Sequence, residues 1–311
     1  MKTIKAVEPF SHSGFLNFKI APFQAWNRNG GRTAKAHYPF RIFHSLAYHY
    51  EIPSWMKTDK EARLRFMEPV SLYFDTFPDY ALYEVIPMVW DCWPCYFEKM
   101  CRWIEKHHVK TAIFTSSQTA DRMKQRFPEL KVMWCPEAVN SSNYKKGKEL
   151  KERRIDLLQF GRSNDKILKS ELPENVNHIC TKVNGKFIYN NEELYTAMGD
   201  TKVTIALPRS ITQPEKAGDI ETLTQRYWEN MLSRIVMVGK APKELTELIG
   251  YNPVIEIEPD NFNNQLLRIL EHIDDYQELV NRNRESALQY GNWNDRMKDV
   301  MFFLKENGYD I

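Results

Sequence analysis

Glu221 and Glu229 stand eight positions apart in the run GDIETLTQRYWENMLSRIVMVGKAP, residues 218–242. A carboxylate accepts hydrogen bonds from neighbouring hydroxyls, so a pair of them suits a polyhydroxylated ligand such as a sugar or a ribose. Eight residues is a little over two helical turns, which puts both groups near one face if a single helix spans them. If the helix begins near Thr224 instead, Glu221 lies in the loop before it and Glu229 one turn inside. The helix runs into the apolar strand candidate Ile235-Val236-Met237-Val238. In both arrangements acidic groups meet free helix N-terminal amides in a loop–helix–strand unit, the place where open α/β sheets bind nucleotides. The spacing therefore predicts a sugar-nucleotide site.

Other residues compete for chemical roles. Arg162 follows Gly161 at the end of an apolar run and suits a phosphate, with an ordinary surface arginine as the alternative. Gly30-Gly31 reads as a phosphate-adjacent loop or as a turn needing positive φ. Asp91 follows the strand candidate Glu84–Trp90, where it could bind an acceptor hydroxyl, act as a base, or cap the next helix. His37 is close to the glycine pair, whereas His44 reads as a core histidine. Cys92-Trp93-Pro94-Cys95 has redox spacing, but Asp91 beside it would raise a thiolate pKa. In a zinc site from Cys92, Cys95, Cys101 and His107 or His108, Cys101 and the histidines would lie along the same helix as Cys95. Neither the redox nor the zinc reading is favoured. No D-x-D motif stands where a metal-dependent transferase would want it, since Asp274-Asp275 falls between helices near the end. No metal or cofactor is expected.

The elements that must position these groups alternate along the chain. Phe15–Ala21 reads as a first strand, Gln24–Lys35 as a polar loop, and Arg41–Ala47 as a helix. Val70–Phe74 and Glu84–Val89 follow as strands, Glu98–His108 as a helix, and Thr111–Thr115 as a strand. Thr119–Phe127 reads as a helix and Lys131–Trp134 as a strand. The basic run Asn140–Arg154 (NSSNYKKGKELKERR) looks like an interdomain connection with a solvated surface. Alternation then restarts. Strands are expected at Ile155–Phe160, His178–Cys180, Lys186–Tyr189, Val203–Leu207 (closed by Pro208) and Val254–Ile257. Helices are expected at Glu192–Met198, Lys243–Ile249, Asn261–Tyr290 with a break near Asp274, and Asp295–Glu306. Two βα series joined by a basic linker predict an α/β protein of two doubly wound, Rossmann-like domains facing a cleft, residues 1–150 and 151–311.

Composition sets the limits. The 311 residues are 42% hydrophobic and 27% charged, and 43 Lys+Arg against 41 Asp+Glu leave a formal charge of +2. That balance gives no case for nucleic-acid binding, which needs a concentrated basic face. No run reaches the roughly 18 apolar residues of a membrane span. No apolar secretory core is visible in MKTIKAVEPFSHSG, and five cysteines, an odd number, read as reduced thiols in a cytoplasmic protein. Trp26-Asn27-Arg28 and Trp55-Met56-Lys57 are candidates for peripheral contact at the inner face of a membrane.

The stretch Asn191–Val238 resembles the donor-binding half of GT-B glycosyltransferases, in particular the retaining family with an E-x7-E motif and its spore-coat-like relatives. The order of a strand ending in Gly-Arg, a Glu-Glu-Leu helix, a strand ending in Pro and the E-x7-E loop-helix carries the likeness. Asn29-Gly30-Gly31 and Ile113–Pro136 resemble parts of that family's N-terminal domain more loosely. The resemblance implies transfer of a sugar from a nucleotide-diphosphate sugar to a glycan or lipid-linked acceptor, with retention, without metal, in surface polysaccharide synthesis. It implies that Arg162 and Lys166 hold the donor diphosphate, that Glu229 grips the ribose and that Glu221 lies by the donor sugar. Arg226 would add charge, and Gly161, Pro208, Thr222, Leu223 and Thr224 would line the donor. The last helix, about 295–306, would return to the N-terminal domain. The chain departs from the family in having Thr222-Leu223-Thr224 in place of a glycine-containing run, and Ser233-Arg234 where glycine is common. A non-catalytic glycan-binding scaffold and a sugar-nucleotide 2-epimerase are the rival readings.

Overall fold

The computed structural model describes residues 1–9, 18–35, 57–161, 172–183, 186–187 and 189–311. The chain divides into two compact units: residues 1–137, 215–222 and 293–311 form the first, and residues 138–214 and 223–292 form the second.

The first unit is built on a parallel sheet. Its strands are β1 (Lys2–Val7), β2 (Thr33–Ala34), β3 (Glu61–Met67), β4 (Glu84–Val89), β5 (Thr111–Phe114) and β6 (Lys131–Trp134). β1 pairs on one side with β3, and on the other with β2 at its C-terminal end and with the closing strand Tyr309–Asp310 at its N-terminal end; β4, β5 and β6 follow β3 in order. Alternation along β4 sends Val85 and Val89 into a cluster with Met100, Trp103, Ile104 and Met123, and turns Ile86, Met88 and Trp90 to the opposite face. There Trp90 meets Phe18, Phe66 and Trp293, the last from helix Trp293–Glu306, which packs with helix Ile20–Arg28.

Two expected elements are replaced. Ile20 and Ala21, read as the end of a strand, open a helix, and Pro22 sits in its first turn, where a missing N–H costs nothing; residues 15–17 lie outside the described part. Val70–Phe74, read as a strand, is a turn into helix Leu72–Thr76, closed by Ser71 Oγ donating to Asp75 (2.6 Å) and Thr76 Oγ1 to the Leu72 carbonyl (2.7 Å). The strand at this point is β3, EARLRFM, which hides its β character behind charge. Arg65 and Asp79 are buried together, Nε to Oδ2 3.3 Å. The expected helix Arg41–Ala47 is outside the described residues.

The second unit holds β7 (Ile155–Gln159), β8 (His178–Cys180), the antiparallel pair β9 (Lys182–Val183) and β10 (Lys186–Phe187), β11 (Thr201–Ala206), β12 (Val236–Gly239) and β13 (Ile255–Glu256). The main sheet runs β13-β12-β11-β7-β8, all parallel. Strand order reverses between β7 and β11, which makes their C-terminal ends the topological switch point. Both faces are covered. Leu158, Ala206 and Met237 pack with Leu194, Tyr227, Met231 and Leu245, while Leu157, Val203, Ile205 and Val236 pack with Leu266, Ile269 and Val280 on the other side.

Residues 140–154 expose all four of their lysines, yet bury Tyr144, Leu150 and Arg153. Two arginines hold the segment by its carbonyls. Arg153 (2% exposed) donates to Lys148 O, Thr201 O and Arg234 O at 2.9, 2.7 and 2.9 Å. Arg234 (1% exposed) donates to Lys146 O, Gly147 O and Lys148 O at 2.9, 2.9 and 3.0 Å, and to the Glu149 and Asn281 side chains. Arg234 occupies the left-handed region, φ 55, a conformation glycine adopts at no steric cost. Its hydrogen bonds offset that strain. Replacing it by glycine relieves the backbone but orphans several carbonyls; R234G is expected to destabilise the protein by about 2–4 kcal/mol in denaturant unfolding.

Candidate functional site

In the second unit, helix Gln225–Leu232 starts from Thr224, so Glu221 lies in the preceding loop and Glu229 one turn inside the helix. Arg226, in the first turn, reaches the C-terminal end of β7. Its guanidinium lies 5.4 Å from the Phe160 ring centroid and directly against Gly161, where an added Cβ would stand 2.0 Å from Nη2. Gly161 has φ 80, a second reason for glycine there. Pro208 closes the neighbouring strand β11 and precedes helix Arg209–Thr212. A cation, a helix N-terminus and a glycine thus stand beside the switch point.

Glu229 is 8% exposed. The Tyr144 hydroxyl donates to its Oε1 at 2.8 Å, and the Tyr144 ring meets Tyr195 edge-on, centroids 4.9 Å apart. Burial pushes the Glu229 carboxyl pKa upward, against the bond from Tyr144 and the charge of Arg226. Burial likewise lowers the Arg226 pKa, opposed by Glu229. Burial raises the Tyr144 pKa, with Glu229 adding to it, so the phenol stays a donor.

Leu223 is fully buried, and its N–H donates to Glu244 Oε2 at 2.7 Å. That amide is taken by the protein itself. Tyr144 and Glu244 are not found by sequence reasoning. The signal for Tyr144 is a solitary aromatic ring inside a basic run. Glu244 gives none, being one charged residue in a helix that follows Pro242.

The loop carrying Glu221 and Thr222 belongs to the first unit. Gln118 holds it, accepting from the Glu221 N–H at 2.8 Å and donating to the Asp219 carbonyl at 3.2 Å. Arg122 pairs with both Asp219 oxygens, and Ala217 and Ile220 pack on Trp93. Thr222 and Asp91 line one small depression with Thr115, Ser116 and Thr119. Asp91 has φ 51 two residues after the end of β4, a conformation that aspartate adopts more readily than most residues other than glycine. The helix that follows is capped from position Trp93, without a side-chain bond.

Gly30 and Gly31 belong to the first unit. They end helix Ile20–Arg28, with Gly30 N bonded to Asn27 O and Gly31 N to Trp26 O at 3.0 Å each. A phosphate loop needs free amides, and these two are in use. Gly31 lies flat on Trp26, where a Cβ would stand 2.2 Å from Nε1. Trp26, a candidate for membrane contact by sequence, is fully buried and donates to Arg32 O. Arg162, Lys166, His37 and His44 lie outside the described residues, as do Trp55 and Met56.

Cys92 is buried, and burial, then Cys101, Cys95 and Asp91, push its thiol well above the ordinary range, opposite to a redox nucleophile. Among the described residues no three His, Cys, Asp or Glu side chains gather as a metal site would require. No described helix is long and apolar enough to cross a membrane.

The raised pKa of Glu229 has a stability consequence. A carboxyl whose folded pKa lies above its unfolded value contributes stability fully present below the unfolded pKa, and that contribution is lost as pH rises through the folded pKa. E229Q is therefore expected to unfold at a higher temperature than the parent protein at pH 7–8, the gap closing as pH falls towards 4; scanning calorimetry across that range measures it.

No protein-family model and no curated protein matches the sequence. Solved structures do. Sucrose-phosphate synthase from Thermosynechococcus elongatus matches with TM-score 0.62 at 10% identity, over 98% of this chain and 99% of that one. HepE of Anabaena, in complex with UDP and glucose, matches with TM-score 0.63 at 11% identity, over 98% and 100%. An alpha-glucosyltransferase in complex with UDP and a 13-mer DNA containing an HMU base matches with TM-score 0.57 at 9% identity, over 98% and 100%. Identities this low speak for the fold, and the fold of this chain is that of the GT-B glycosyltransferases.

Proposed function

We propose that the protein is a glycosyltransferase that moves a sugar from a nucleotide-diphosphate sugar, with a UDP-sugar as the first candidate donor. The observation that carries this reading is Arg226 against Gly161 at the β7–β11 switch point, with the buried Glu229 one turn along the same helix. Breaking the donor's anomeric bond leaves a nucleotide diphosphate, and its growing negative charge needs fixed cations and N–H dipoles. Arg226 and the first turn of its helix are suited to that charge, joined on the family resemblance by Arg162 and Lys166. Glu229 would accept from the ribose hydroxyls, and Glu221, in its loop, would stand near the donor sugar.

The reaction forms a bond from an acceptor hydroxyl oxygen to the anomeric carbon and breaks the bond from that carbon to the diphosphate. The hydroxyl proton passes to the leaving diphosphate. On this reading the anomeric configuration is retained, and neither a metal nor a covalent nucleophile takes part. The acceptor is a glycan or a lipid-linked glycan, and Asp91, with the hydroxyls around it, is the candidate for holding it in the first unit. UDP in HepE and in the alpha-glucosyltransferase supports the choice of base.

Thermal unfolding with UDP, GDP, dTDP and CMP in parallel tests the donor site. Ligand at about 100 times its Kd adds roughly 2.7 kcal/mol of stability. One diphosphate is expected to shift the transition, and R226A to weaken its binding at least tenfold, as loss of a charged hydrogen-bonding partner does. No shift with any nucleotide sinks the reading and favours a glycan-binding scaffold. Turnover of a sugar nucleotide without acceptor, to its 2-epimer, favours the epimerase.

A further inference from the structure

In the proposed function Glu229 meets the ribose, and the role of Tyr144 inferred from its geometry rests on that reading. A carboxylate that grips a diol from inside a dry site must stay ionised and hold one angle. Tyr144 works towards both, opposing the effect of burial on the carboxyl and fixing one of its oxygens. Its hydroxyl donates to Oε1 at 2.8 Å, and the residue is 6% exposed. Tyr195 braces the ring edge-on at 68°, and Asn143 donates to the Tyr195 hydroxyl at 3.4 Å.

Tyr144 belongs to none of the strands or helices of the βα framework. It stands on the 138–154 segment, two residues before the carbonyls of 146–148 that Arg153 and Arg234 hold. Those bonds fix the backbone, so the phenol is not needed to anchor the segment. It is free to act on Glu229, and one carboxylate oxygen then remains to accept from a ligand.

We propose that Tyr144 is a positioning residue for ribose recognition: by fixing Glu229 Oε1 it leaves Oε2 aimed at the ribose hydroxyls, and it makes the site select ribonucleoside diphosphates over those lacking these hydroxyls. A purely structural tyrosine would affect every nucleotide alike.

The test is a comparison of UDP and 2′,3′-dideoxy-UDP binding by calorimetry, in the parent protein, Y144F, E229Q and the Y144F/E229Q pair. K145A, an exposed neighbour in the same segment, controls for disturbance of the chain. The parent is expected to prefer UDP at least tenfold. In Y144F the preference falls severalfold while dideoxy-UDP affinity stays within twofold, and adding E229Q then costs less than it does alone. Equal weakening of both nucleotides in Y144F, or an unchanged preference, overturns the role of Tyr144 while leaving the donor site standing. Failure of the parent to bind UDP, GDP or dTDP removes the donor site and this proposal together. Should Y144F fail to fold while K145A folds, Tyr144 is a structural residue and the proposal falls.

Discussion

A carboxylate held in the second turn of a buried helix must be given donors, because an unpaired buried charge is far more costly than any contact around it is favourable. Glu229 imposes that constraint on the second unit. Tyr144 answers it with a hydrogen bond from an irregular segment, and Arg226 with its charge from the helix itself. Meeting it requires the segment to be fixed, which Arg153 and Arg234 do through main-chain carbonyls. It also requires Arg226 to lie over a residue without a side chain, which is Gly161.

The regular parts of the second unit were legible because their signals are local. Lys243–Ile249 and His178–Cys180 agree with expectation to the residue, as does Lys131–Trp134 in the first unit. Apolar runs of four to six residues closed by Gly or Pro are strong strand signals, since they combine burial with a stop. The alternative that begins the helix near Thr224 is the one the structure has. β3 was not legible, because Arg63 and Arg65 are buried by pairing rather than by apolarity, and pairing is invisible along a chain. The misread strand at Ile20 shows composition overriding the better clue, a proline placed for the first turn of a helix.

The candidate site could be read from the sequence as a set of residue types and not as a set of partners. Spacing pointed to Glu221 and Glu229, and the position of Arg226 to a charge. Spacing could not point to Tyr144, eighty-five residues away from the carboxylate it bonds. Nor could it tell that Gly30 and Gly31 end a helix on Trp26, since a turn and a phosphate loop call on the same freedom of φ.

Residues 215–222 belong to the first unit although the chain on both sides of them belongs to the second. The loop is tied there by Gln118 and Arg122, and by the packing of Ala217 and Ile220 on Trp93. The coding sequence therefore has no single junction at which the two units separate. A chimaera that joins one contiguous half to the half of a relative would inherit a loop fitted to a surface it no longer possesses. A change at Gln118, Arg122 or residues 217–222 alters a fit made wholly inside the first unit, although the loop is encoded in the middle of the second.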